Sequence, residues 1–253
     1  MLAIAIYEKN HMNEQTSASS EITTEVRHGI VKWGVKAAFG IIIYGLILFL
    51  SAGTLGWVWG WIFLGVLAIH LIAHPLLLLP RNPELLVERE KGFLDKEVRH
   101  WDKRLTSLAG GLMMLTWVVA GLDYRFQWTE ELSLKYHLGG LLVTVLGYGI
   151  FMGAMTTNAF FSEGVRIQKE RGHVVVTSGP YEYVRHPGYV GTILTSFGTP
   201  FLLGSLWAVV PAVVLAGVIV VRTGLEDRML QEELAGYKEY AQQTQARLLP
   251  KVW

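Results

Sequence analysis

The chain has 253 residues, 51% of them hydrophobic and 17% charged, and a mean hydropathy of +0.35, too apolar a balance for an ordinary soluble domain. A formal net charge of +1 without a basic stripe gives no reason to propose a nucleic-acid partner. The absence of cysteine excludes disulfides, thiolate catalysis and cysteine-bound zinc or iron–sulfur centres. The expected class is all-α, a polytopic helical membrane protein.

Residues 1–28 read as a mobile or surface-lying tail, because the apolar Met1 to Tyr7 is too short for a signal-peptide core and runs into polar sequence. Arg27, Lys32 and Lys36 precede the apolar run Ala37 to Ala52, long enough with helical ends for a first span. Trp57 to Leu79 makes a second span that ends at Pro80, with Trp57, Trp59 and Trp61 as interface aromatics. Within it, His70 and His74 stand one helical turn apart. They suit a metal or haem pair, but packing or interfacial histidines are favoured because no third ligand lies nearby.

Arg81 to Arg104 is the most charged stretch, with seven Lys/Arg and six Asp/Glu. Leu85, Leu86, Phe93, Val98 and Trp101 are spaced among the charges, which predicts amphipathic helices at the membrane surface, a solvated connector rather than a catalytic element. Leu105 to Leu122 is a third span and Asp123 to Lys135 a short polar loop. The fourth span, Tyr136 to Thr157, carries Gly139, Gly140, Gly147, Gly149 and Gly153, spaced so that another helix can approach closely. Val190 to Leu203, short for a full crossing, and Leu206 to Val221 form a hairpin around Gly204 and Ser205. Beyond Arg222 the chain turns polar, and the spacing of Leu225, Met229, Leu230, Leu234, Tyr237 and Tyr240 predicts a helix broken near Gly236.

About six spans result, and Lys and Arg alternate accordingly. Arg27, Lys32 and Lys36 lie just before the first span with Lys9 further out, seven lie between the second and third, four around 158–186 and five from Arg222 onward, while the other connections carry none, two and none. This bias puts both termini, the charged stretch and the 158–186 loop on the cytoplasmic face.

That loop leads into GHVVVTSGPYEYVRHPGYVG, residues 172–191, which packs two histidines, an arginine, three tyrosines and four glycines into one segment. Pro180 and Pro187 push their preceding residues away from helical geometry, so the backbone should be irregular and its polar groups free for a ligand. No HExxH is present and no second cluster of carboxylate and histidine, so no metal is expected. Neither a nucleophile elbow nor a GxGxxG between strand and helix occurs. What remains offers backbone donors, imidazole and aromatic faces to a planar polar ligand or to a cation such as a sulfonium. Downstream, Arg222 and Glu226 stand four apart and share a helix face, as an interfacial salt bridge or with the arginine snorkelling.

The loop motif followed by RTGLEDRML and GYKEY resembles the isoprenylcysteine carboxyl methyltransferase family and its membrane-methyltransferase relatives, including phospholipid methyltransferases. The resemblance is strong from Asn158 to Trp253 and looser before it, through NPELLVER and LDYRFQW. It divides the chain into the tail, an N-terminal transmembrane region at 29–157 and a methyltransferase core at 158–253. It implies S-adenosylmethionine as cofactor, held between the 158–190 loop and the C-terminal hairpin and tail. By position, Gln168, His173, Val174, Val175, Val176, Tyr181, His186, Pro187, Gly188, Tyr189 and Glu226 would line that site. Arg222 would face a lipophilic methyl acceptor, and Arg222 and Glu226 would be the catalytic pair.

A prenylcysteine-like carboxylate is already ionised at neutral pH and would need only a clamp. A lipid amine would need a base, for which Glu226, Asp227 and His186 are candidates. Other classes of function are a sterol-type reductase using NADPH, which shares the RHPxY region, and a non-catalytic membrane protein. The latter predicts charges at mid-span, where this chain has almost none.

Overall fold

The computed structural model describes residues 31–250 and 252–253, so the expected tail at 1–28 lies outside the described residues. Within them the chain forms α1 (Val31–Ala52), α2 (Val58–Leu78), α3 (Pro83–Lys91), α4 (His100–Phe126), α5 (Leu134–Thr157), α6 (Pro187–Leu203), α7 (Val209–Glu233) and α8 (Tyr237–Gln243), with no strand. Five of these, α1, α2, α4, α5 and α7, are long and apolar enough to cross a membrane. The sixth apolar helix, α6, has 17 residues, about 25 Å at the usual rise, slightly short of a hydrocarbon core. Outward residues such as Ile69, Ile72 and Leu76 are exposed and apolar, as a lipid-facing surface requires. This is an integral membrane architecture.

The long helices alternate in direction, which gathers the 79–99 and 158–186 connections and the C-terminal tail at one end of the bundle. That end is called the site end below. At the opposite end the connections are short. There Asp123, expected in a polar loop, is a buried residue of α4. Its carboxylate accepts from the Thr129 amide at 2.7 Å, from the Thr129 hydroxyl at 2.6 Å and from Ser205. Trp57 is also withdrawn from the surface, stacking on Tyr124 at 5.0 Å, and Trp59 stacks on His137 at 4.1 Å. Of the three tryptophans expected at an interface, Trp61 is the exposed one.

The most extensive packing joins α5 to α6. It depends on four glycines in two facing pairs, each pair seven residues apart. A Cβ on Gly140 would lie 2.2 Å from the Leu202 amide nitrogen, and one on Gly147 would lie 2.7 Å from the Gly191 carbonyl oxygen. On α6, a Cβ on Gly191 would lie 2.5 Å from the Gly147 carbonyl oxygen, and one on Gly198 would lie 2.7 Å from the Thr144 amide. A seven-residue repeat keeps the seam facing its partner. Gly139, Gly149 and Gly153, from the same expected set, face open space.

The charged stretch 81–104 is not the solvated connector that its charge pattern suggested. Leu85, Leu86 and Val98 are buried, and so are Glu88 and Asp102. Its last residues form the first turn of α4. Arg166 holds the stretch down, donating to Glu88 at 2.6 Å and to Glu97 at 2.6 Å while pairing with Glu170 at 2.8 Å. His70 and His74 pack as side chains: His70 stacks on Tyr148 at 3.8 Å and the Nδ1 of His74 lies 3.0 Å from the His70 carbonyl oxygen.

Replacing Gly147 or Gly198 by alanine forces the two backbones apart and is expected to destabilise the protein by roughly 1–3 kcal/mol. Gly149→Ala should be neutral or slightly stabilising, and melting temperatures in detergent compare the three.

Candidate active site

The site is built on the second half of α7. This helix runs without interruption from the apolar Val209 to Glu233, carrying Arg222, Glu226 and Asp227 past the point where the polar sequence begins. Opposite it, the 158–186 segment is irregular, with short 3₁₀ turns at Lys169–Arg171 and Gly179–Glu182. His186 is the residue before α6 and Pro187 its first helical residue, where a missing N–H costs nothing. The loop is tied to the tail by backbone, the Arg185 amide donating to the Ala246 carbonyl at 2.9 Å and the His186 amide to the Arg247 carbonyl at 3.0 Å.

Asp227, with no exposed surface, is the hub between them. Arg185 grips it with Nε at 2.7 Å and Nη2 at 3.0 Å, and spends Nη1 on the carbonyls of Thr244 and Gln245 at 2.8 and 2.7 Å. Arg247 adds a bond at 2.8 Å, Gln231 one at 2.8 Å and the Tyr237 hydroxyl one at 3.1 Å. The Nε2 of His186 lies 3.4 Å from the same carboxylate. Burial, and then the charge of Asp227, pushes the Tyr237 phenol above its usual range, so it stays a donor.

Glu226, next along α7, faces another way and accepts a hydrogen bond from the Tyr189 hydroxyl. The Tyr189 ring lies parallel to His186 at 5.7 Å and under the Arg222 guanidinium, whose carbon is 5.2 Å from the ring centre. Arg222 does not pair with Glu226. Its Nε and Nη2 donate to Asp102 at 2.6 and 3.1 Å, and Nη2 also reaches the Glu163 carbonyl at 2.9 Å. Asp102 has no exposed surface and takes a further bond from the Val165 amide at 2.8 Å.

The remaining expected residues lie around the loop. Gln168 is fully buried and donates to the Phe160 carbonyl at 2.8 Å. His173 stacks on Phe160 at 4.5 Å and its Nδ1 accepts from the Gln168 amide at 3.3 Å. Partial burial, and then the charges of Arg166 and Arg171, push His173 down to about 4, so the imidazole is neutral at physiological pH. Val175 and Val176 pack on the cluster of Tyr181, Leu234, Tyr237 and Tyr240, whereas Val174 is exposed. Tyr181 donates to the Ala154 carbonyl at 3.3 Å, and its own carbonyl accepts from Tyr240 at 2.7 Å. At Gly188, a Cβ would lie 2.6 Å from the Phe161 ring.

His186, Tyr189, Arg222 and Glu226 thus converge, while Gln168 and His173 stand on the neighbouring Phe160 side. Sequence reasoning passed over Asp102, Glu88 and Arg89, which it assigned to a surface connector, and the role of Asp227 with Arg185 and Arg247. A partly open cavity of about 140 Å³ between the helices is lined by Phe63, His70, Trp117, Tyr148, Phe151 and Thr195, among others.

Known proteins share parts of this sequence and its fold. The isoprenylcysteine carboxyl methyltransferase (ICMT) family matches residues 140–234, from α5 to the end of α7. A protein-S-isoprenylcysteine O-methyltransferase B of Arabidopsis thaliana is 33% identical over 135 residues, covering 51% of this chain and 68% of that protein. The chain belongs to the isoprenylcysteine carboxyl methyltransferase family. The mouse protein-S-isoprenylcysteine O-methyltransferase is 36% identical over 90 residues, covering 35% of this chain but only 31% of that protein. The human one is likewise 36% identical over 90 residues, covering 35% of this chain and 31% of its own length. The fold is also shared with the solved structure of the eukaryotic intramembrane Ras methyltransferase ICMT, at TM-score 0.53 and 23% identity over 83% of this chain and 74% of that one. The family match spans the loop, α6 and α7, and leaves Arg89, Asp102 and Arg247 outside it.

Asp227→Ala strands the buried Arg185 and the half-buried Arg247 and should cost about 3–5 kcal/mol, read from thermal or denaturant unfolding in detergent. His173 supplies a pH signature. Its proton is bound more readily in the unfolded chain, near 6.5, than in the folded one, at about 4. Its stability contribution is therefore complete above the first value and lost as pH falls toward the second. The decline in melting temperature across that window should be shallower in His173→Gln than in the wild type.

Proposed function

We propose that the chain is an S-adenosylmethionine-dependent integral-membrane methyltransferase acting on a hydrophobic acceptor, a prenylcysteine-like carboxylate or a lipid. The observation that carries the proposal is the closure of the family's loop motif onto α7, through Tyr189 on Glu226 and Arg185 with His186 on Asp227. Family membership supplies the reaction class. The positive-inside bias supports a cytoplasmic site end, with both termini on that side.

The residues present fit the proposed cofactor. A carboxylate and parallel aromatic faces suit a cation: Glu226 has one oxygen without a hydrogen bond among the described residues, and the rings of His186 and Tyr189 lie 7° from parallel. Gln168, His173 to Val176, Tyr181 and His186 to Tyr189 would hold the group. When bound, S-adenosylmethionine supplies a methyl group made electrophilic by a sulfonium.

The chain's own contribution is positioning and dryness. Glu226, oriented by the Tyr189 hydroxyl, is set to balance positive charge at the start of α6. Arg222 is fixed by Asp102 through Nε and Nη2, which leaves Nη1 to face the acceptor. Methylating a carboxylate at a sulfonium removes two opposite charges, so excluding water and holding the partners in line accelerates the reaction more than a strong base would. No side chain has to take a proton when the acceptor is a carboxylate. Tyr189 and Glu226 therefore act as binding and orienting groups.

Incubating the protein with tritium-labelled S-adenosylmethionine, a total lipid extract and small prenylcysteine analogues should yield a labelled, extractable product. Transfer to none of them would overturn the proposal. In a binding titration S-adenosylhomocysteine should bind where NADPH does not, and the reverse would identify a reductase. Glu226→Gln should weaken S-adenosylmethionine by about 10–100-fold, the value of a hydrogen bond or ion contact to a charged group, and weaken S-adenosylhomocysteine, which lacks the sulfonium charge, by less.

A further inference from the structure

The site end encloses four guanidinium groups, and three of them are gripped by well-matched carboxylates. Arg166 faces the carboxylates of Glu88, Glu97 and Glu170. Arg185 is held by Asp227 and two carbonyls. Arg222 is held bidentately by Asp102, with the Glu163 carbonyl as a further acceptor. The fourth, Arg89 on α3, is nearly as enclosed, its side chain only 11% exposed, yet it is poorly matched. Nη1 donates to the Phe161 carbonyl at 3.2 Å, and Nη2 reaches the Glu163 carboxylate at 3.4 Å, the long edge of hydrogen bonding. Glu163 is 38% exposed and Arg89 is its one carboxylate partner among the described residues, so it can swing into solvent at little cost. The Nε of Arg89 has no partner among the described residues.

Its position is as informative as its pairing. The guanidinium carbon lies 6.0 Å from the centre of the Phe151 ring and 5.7 Å from that of Phe161. Phe151 lines the partly open, mainly apolar cavity of about 140 Å³ between the helices. Phe161 abuts Gly188, one residue before Tyr189. Glu163 joins the two arginines directly, its carboxylate on Arg89 and its carbonyl on Arg222. Arg89 thus stands at the junction between an apolar interior and the Tyr189, Arg222 and Glu226 group. An under-neutralised guanidinium there fits an anionic head group whose tail lies among apolar side chains, and its fork is shaped for a carboxylate.

We propose that Arg89 binds the carboxylate of the methyl acceptor, displacing Glu163, and so selects acidic amphiphiles over neutral ones. This rests on the methyltransferase reading for the identity of the acceptor, but the binding test needs no methyl donor. It assigns to α3 the anion recognition that Arg222, with two of its nitrogens taken by Asp102, can supply only from one edge.

The test is equilibrium binding of an S-farnesyl cysteine analogue with a free carboxylate, and of its carboxamide, to the whole protein in detergent. The wild type should prefer the carboxylate by about tenfold or more, the range of charge-assisted bonds. Arg89→Gln should bring that ratio close to one by weakening the carboxylate alone, and Arg89→Lys should restore part of it. Glu163→Gln, which removes the internal competitor, should tighten the carboxylate and leave the carboxamide unchanged. A merely structural Arg89 would weaken both compounds together and leave Glu163→Gln without effect, and either result overturns the proposal. No carboxylate preference in the wild type overturns it as well. If Arg89→Gln does not fold, the Glu163→Gln titration decides alone. Carboxylate preference without methyl transfer from S-adenosylmethionine would instead refute the methyltransferase reading and leave the anion site standing.

Discussion

A buried carboxylate that must be neutralised from several directions organises the whole site end. Asp227 stands without exposed surface on α7, and its partners come from the loop (Arg185, His186), from α8 (Tyr237), from the tail (Arg247) and from α7 itself (Gln231). An ionised carboxylate away from water is tolerated only when its neighbours satisfy it. The loop and the tail therefore have to close over α7 together. The two backbone bonds from 185–186 to 246–247 follow from that closure.

The glycine seam between α5 and α6 sets the other boundary. Because backbone touches backbone at Gly140, Gly147, Gly191 and Gly198, α6 is locked in height against α5. Its first residues, directly after His186, are fixed with it. Tyr189 then meets Glu226 on α7, and the Arg222 guanidinium lies over the Tyr189 ring. Packing without side chains thus places the most polar part of the chain.

The sequence revealed the helical class, the apolar runs and the segment that closes on α7, since each is written in local composition and spacing. It also marked the start of α6 through His186 and Pro187. Tertiary pairing was not legible. Arg222 and Glu226 share a helix face four residues apart, yet the first is taken by Asp102 from α4 and the second by Tyr189 from α6. The stretch 81–104 looked solvated because mixed charges on an amphipathic pattern read the same whether they face water or oppositely charged loop residues. Only the position of Arg166 distinguishes the two. Similarly, Glu226 and Asp227 are neighbours in sequence, but the turn of about 100° per residue sends them to different partners.

The continuity of α7 sets the depth of these groups. From Val209 at one end of the helix, Glu226 lies about 26 Å along the axis at 1.5 Å per residue, against a hydrocarbon layer of about 30 Å. Measured along the helix, the carboxylate thus lies within the length of one membrane span of the far end of α7. A greasy reactant carried in the leaflet could reach it by lateral diffusion, without desorbing. Its encounter rate would then scale with mole fraction in the bilayer, not with molar concentration, and diluting the reactant with inert lipid would slow turnover at constant bulk amount.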